Sequence, residues 1–83
     1  MLDKKISELN SGFNTEIIKV NDLRELEDIR VKYLGRNGLI SALFDELKNI
    51  SKELKPGLGK SLNILRTDAT DKFNSLKEKL ENQ

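Results

Sequence analysis

The chain has 83 residues, 36% hydrophobic and 35% charged, with a formal net charge of +1, three Phe, one Tyr and no Trp. That length holds one domain at most, and that composition cannot supply a large core. With neither Cys nor His, disulfides, the commonest transition-metal ligands, and nucleophilic schemes built on Cys or a Ser–His pair are excluded.

From the start, Leu2, Ile6, Leu9, Phe13, Ile17 and Val20 recur at spacings of three or four, a narrow apolar stripe on one helix face. Asn21 or Asp22 opens a second helix, with Asp22 and Glu25 in capping-box spacing. This helix presents Leu23, Leu26, Ile29 and Tyr33 and stops at Leu34. Gly35 suits the left-handed position just past a helix end, and Asn37-Gly38 is a strong turn dipeptide. A third helix carries Leu39, Ile40, Leu43, Phe44, Leu47 and Ile50 on one side. Lys55-Pro56 ends it, since the residue before proline is pushed out of the helical region, and Pro56 suits the first turn of a new helix. Leu58, Leu62, Leu65, Ala69, Phe73, Leu76 and Leu80 then mark a closing helix of ~27 residues, about 40 Å long.

The expected fold is all-α. The first and last stripes bury each other as an antiparallel helical hairpin, a coiled-coil shaft with both chain ends at its base and residues from about 30 to 60 forming a knobbed tip. Charge divides along the same lines. Residues 29–66 carry eight basic and three acidic side chains, a net +5, whereas the two flanks together are −4. No apolar run approaches the ~18 residues of a membrane span. The N-terminus is polar from Asp3 and does not read as a signal peptide. The expectation is a cytoplasmic helical chain.

The stretch Arg30-Val31-Lys32-Tyr33-Leu34-Gly35-Arg36-Asn37-Gly38 closely resembles the R-V-x-Y-L-G-K-K-G signature in the N-terminal region of the bacterial phenylalanyl-tRNA synthetase α subunit. That region also carries a later Pro, then Gly and Asn at the head of a long helix, matched here by Pro56, Gly59 and Asn63. The preceding Asp22 to Arg30 reads D-L-R-E-L-E-D-I-R, similar to the family's D-L-x-E-L-E-x-I-R helix, and the order of elements agrees over essentially the whole chain. One departure is Asn37 where the family often has a second basic residue; it removes one phosphate contact and leaves the turn chemistry intact.

The resemblance implies a single helical arm domain over residues 1–83, part of a larger α subunit whose class II catalytic domain is absent. It implies an arm that contacts tRNA(Phe), in a parent that works with a β subunit as an (αβ)2 assembly and attaches phenylalanine to tRNA using ATP and magnesium. Nothing in the chain resembles the motifs that bind ATP or phenylalanine, so no cofactor and no catalysis are expected of it.

Each candidate residue has a structural and a functional reading. Gly35 and Gly38 terminate a helix and turn the chain, or let backbone N–H groups approach an RNA phosphate, or both. Gly59 and Asn63, four apart on one face, would permit close approach of the corner and hydrogen-bond its orphan backbone groups. The candidate tRNA-binding residues are Arg30, Lys32, Arg36, Lys55 and Lys60. Surface pairs with Glu27 and Asp28 are the plain alternative for the first two. Arg36, Lys55 and Lys60 have no acidic partner at helical spacing on a shared element. Tyr33 and Phe44 could stack on a base, but their place in the apolar pattern makes them core residues. Other readings are the helical arm of seryl-tRNA synthetase, which lacks such a glycine corner, and a coiled-coil module that pairs with another protein through its stripes.

Overall fold

The capping box forms at the start of the second helix. The Asp22 carboxylate accepts the Glu25 N–H at 2.8 Å, and the Glu25 carboxylate accepts the Asn21 N–H at 3.0 Å, so two donors left over at the helix end are satisfied reciprocally. In the computed structural model, which describes residues 2–82, the helices are α1 (Leu2–Ile17), α2 (Leu23–Ile29), α3 (Leu39–Leu47) and α4 (Lys55–Glu81). A π-helical segment, Arg30–Leu34, continues α2 without a break. No strand occurs among the described residues.

The stripes are buried on the expected faces. Leu2, Ile6, Phe13 and Ile17 of α1 and Leu62, Leu65 and Ala69 of α4 lie in one core with Leu26, Ile29, Tyr33, Ile40 and Leu43. Leu23 and Leu39 do not join it: 44% and 42% exposed, they sit at the edges of their helices. Pro56 occupies the first turn of α4. α3 stops at Leu47, short of Ile50, because Lys48, Asn49 and Ile50 each donate to the carbonyl three residues back and tighten the chain into a turn.

The all-α class and the helical hairpin both hold, but the two limbs are not the expected ones. α4 runs antiparallel to the limb built from α2, the π-helical segment and α3, about the turn at residues 48–54. The Arg66 guanidinium lies over the Phe44 ring, and the Leu47 side chain packs beside Gly59. α1 runs parallel to α4. Asp3 and Ile6 border a groove with Leu58, Ser61 and Leu65. Farther along, the Lys72 ammonium donates to the Asn14 side-chain oxygen at 2.7 Å, and Ile17 and Val20 lie by Leu76.

The reason is length. Residues 23–47 form a rod of ~25 residues with one short break, about 37 Å if helical throughout, so the middle of the chain is a full returning limb and not a knob. It carries the chain back to the start of α1, where a Lys5–Glu46 ion pair at 2.6 Å joins α1 to the end of α3, and α4 has to descend alongside α1. The molecule measures 47 × 18 × 18 Å, close to the ~40 Å length of α4 itself. The head of α1 and the turn at 48–54 therefore share one end, and Asn82 lies at the other. The expected placing of both chain ends at one base is thereby corrected, and so is that of the glycine corner, which interrupts the returning limb part-way along.

Candidate nucleic-acid interface

Gly35 and Gly38 bracket a tight turn closed by the Gly38 N–H donating to the Gly35 carbonyl at 2.9 Å, with the Ser41 hydroxyl donating to the same oxygen at 3.1 Å. Neither glycine is left-handed: φ is −68° at Gly35 and −77° at Gly38. The expected reason for glycine is replaced by a steric one. A Cβ on Gly35 would lie 2.9 Å from the Val31 carbonyl oxygen, and one on Gly38 would lie 2.9 Å from the Tyr33 carbonyl. The turn is pressed against the backbone of the π-helical segment, and only hydrogen fits.

Gly59 and Asn63 depart from expectation too. A Cβ at Gly59 would make an ordinary 3.5 Å contact with Leu47, so packing does not demand glycine there. The Asn63 amide donates to the Gly59 carbonyl at 3.0 Å, one turn back on its own helix. It does not reach the glycine corner.

The five basic candidates are not gathered in one place. Arg30 grips Glu27, its Nε 2.9 and 3.0 Å from the two carboxylate oxygens. Lys32 is held by Glu16 of α1 at 2.7 Å, a partner no helical spacing announces, and not by Asp28. The Tyr33 hydroxyl donates to the other Glu16 oxygen, and the Tyr33 ring meets Phe13 edge-on at 5.3 Å and 87°. The hydrogen bond from Lys32, then that from Tyr33, holds the Glu16 carboxyl below its ordinary value. The cluster is thus intact at neutral pH and comes apart only as acid below the ordinary carboxylate range protonates Glu16. Burial, aided by the Glu16 hydrogen bond, pushes the Tyr33 phenol well above its ordinary range. Glu27 is likewise held low, by Arg30.

Arg36 is exposed on the glycine turn, with no ion-pair partner among the described residues. Lys55 and Lys60 stand at the opposite end of α4 from Asn82, half-buried and exposed respectively. There the fold brings them together with Lys48 and Lys52, so residues 48–60 carry four lysines against the single acid Glu53. Lys48 has a loose contact with Asp45 at 3.5 Å. Sequence reasoning counted Lys48 and Lys52 in the basic window without naming them as candidates, since lysines in a turn show no periodicity. Arg66, over Phe44, likewise has no spacing that marks it. Among the described residues no cluster of acidic side chains could hold a metal ion, and no helix is long and apolar enough to cross a membrane.

The family described as aminoacyl-tRNA synthetase class II, N-terminal domain, matches residues 21–83. Phenylalanine–tRNA ligase alpha subunits are similar over most of the chain. That of Bacteroides thetaiotaomicron is 41% identical over 68 residues, 82% of this chain and 20% of the relative. That of Parabacteroides distasonis is 40% identical over 82 residues, 99% of this chain and 23% of the relative. That of Christiangramia forsetii is 47% identical over 58 residues, 70% of this chain and 17% of the relative. The chain thus spans about a fifth of the length of the curated relatives it matches. No solved structure matches it.

Proposed function

The chain belongs to the N-terminal domain family of class II aminoacyl-tRNA synthetases, and from that premise we propose that it is the tRNA-binding arm of a phenylalanine–tRNA ligase α subunit. In this reading a stiff helical rod presents a cationic end to the backbone of tRNA(Phe) and so orients the acceptor end in a catalytic domain elsewhere. The parent, with its β subunit in an (αβ)2 assembly, joins phenylalanine to tRNA with ATP and magnesium. The arm contributes position and no catalytic group. The observation that carries the reading is the end built by residues 48–60 beside the head of α1, where Lys48, Lys52, Lys55 and Lys60 outnumber the acids Glu53 and Asp45, the latter in loose contact with Lys48.

Contacts of this kind hold phosphates and fix register without reading bases. Lys52, Lys55 and Lys60, with Arg36 farther along, are the side chains assigned to it. Arg30 and Lys32 are occupied by Glu27 and Glu16 and are left out. The test is the salt dependence of tRNA(Phe) binding. Reversing Lys52, Lys55 and Lys60 to Glu should weaken binding and lower the log–log salt slope by about 2–3, one phosphate contact per lysine. Reversing Lys77 and Lys79 at the far end should leave the slope alone. Equal losses at both ends would refute the proposal.

A further inference from the structure

We propose that Arg66, seated over Phe44 and oriented by Asn63, is a stacking platform for an unpaired nucleobase, so that the arm takes an RNA loop and not only a run of phosphates. The proposal rests on the RNA-binding reading and names what that surface would recognise.

The Arg66 guanidinium carbon lies over the Phe44 ring, 5.2 Å from its centroid, while its Nη2 donates to the Asn63 side-chain oxygen at 3.4 Å. The Asn63 amide is itself anchored on the Gly59 carbonyl at 3.0 Å. The Phe44 ring and the Asn63 side chain thus orient a cation that is exposed to solvent. Phe44 is half-buried and its open face is covered, so the ring does not meet a base directly; the guanidinium does.

A lysine would serve a phosphate equally well. Planarity is what arginine adds, since a guanidinium stacks on an aromatic face and can present its second face to another. A base offers such a face only when it is unstacked, as in loops and bulges. Lys60 stands six residues earlier on α4, about 9 Å along the axis and about a third of a turn round from Arg66, and Lys48 lies just past the end of α3, four residues after Phe44.

The test uses two RNA hairpins of equal charge, one with an ordinary loop and one whose loop nucleotides are abasic. The intact chain should bind the base-bearing loop roughly tenfold tighter, the scale expected of a single stacked base. Arg66→Lys should bind both alike, with the salt slope and the thermal unfolding midpoint unchanged. Equal affinity of the intact chain for the two loops overturns the platform while leaving phosphate binding in place. So does an Arg66→Lys variant that keeps the tenfold preference. If the intact chain binds neither hairpin even at low salt, the RNA-binding reading fails and the platform with it.

Discussion

Phe13→Ala is expected to remove a large share of the chain's stability. Phe13 is 1% exposed and sits where α1 meets the returning limb, edge-on to Tyr33 at 5.3 Å. Removing a buried phenyl group costs about 3–5 kcal/mol through lost transfer energy and the cavity left behind. Loss of the aromatic pair contributes about 0.5–1.5 kcal/mol of specific interaction. At roughly 0.05–0.15 kcal/mol per residue, the whole stability of a chain this size is about 4–12 kcal/mol, so one side chain removes a large share of it. The comparison is Phe73→Ala on the half-buried outer part of α4, which should cost well under half as much. Urea unfolding followed by circular dichroism measures both. Similar midpoints for the two variants would mean that the core is not centred where α1, the π-helical segment and α4 meet.

Gly38→Ala is the second large effect, and its sign contrasts with that of a neighbouring change. The added Cβ would lie 2.9 Å from the carbonyl carbon and oxygen of Tyr33 and 3.1 Å from the Gly35 nitrogen. All three are backbone atoms, so the turn itself has to move, at a cost of about 1–3 kcal/mol. Gly57→Ala, in the first turns of α4 with nothing within 4 Å of the new atom, should instead stabilise by about 0.5 kcal/mol. Since φ at Gly38 is −77° and the residue is the N-cap of α3, Gly38→Asn gains nothing from asparagine's tolerance of left-handed backbone, and any gain over alanine is that of a capping side chain. Thermal melts of Gly38→Ala and Gly57→Ala check the pair; a Gly38→Ala midpoint at or above that of the intact chain would contradict the steric account.

What could be read from the residues, and what could not, follows from the physics of each signal. Periodicity reports which face of a helix is apolar. The stripes from Leu2 to Val20 and from Leu58 to Leu80 are accordingly buried or half-buried throughout. The Asp22–Glu25 capping box and Pro56 at a helix start are local geometries, complete within a few residues. A stripe carries no direction, however, and is as well buried by a parallel neighbour as by an antiparallel one. The direction of α4 beside α1 is decided by the length of residues 23–47, a quantity of the whole limb. The glycine corner is a turn, as its residues predict, but it lies part-way along the limb and not at a tip, and its reason differs because an absent Cβ answers a close backbone contact as readily as a positive φ. The pairing of Lys32 with Glu16 joins two helices and has no spacing to betray it. Nor does the sequence signal the π-helical turn at Arg30–Leu34. The cationic cluster was visible as a charge count over a window; the fold was needed to show that Lys55 and Lys60 stand with Lys48 and Lys52, away from Arg30 and Lys32.

The central claim is that the end formed by the α3–α4 turn is the surface that meets RNA. Backbone amide chemical-shift mapping of the isotopically labelled chain, titrated with tRNA(Phe) at low salt, tests it most directly. Shifts concentrated at residues 48–66, with residues 19–25 and 74–82 unmoved, are the expected result. Shifts concentrated instead around the C-terminal end of α4, or spread evenly over the rod, would contradict it.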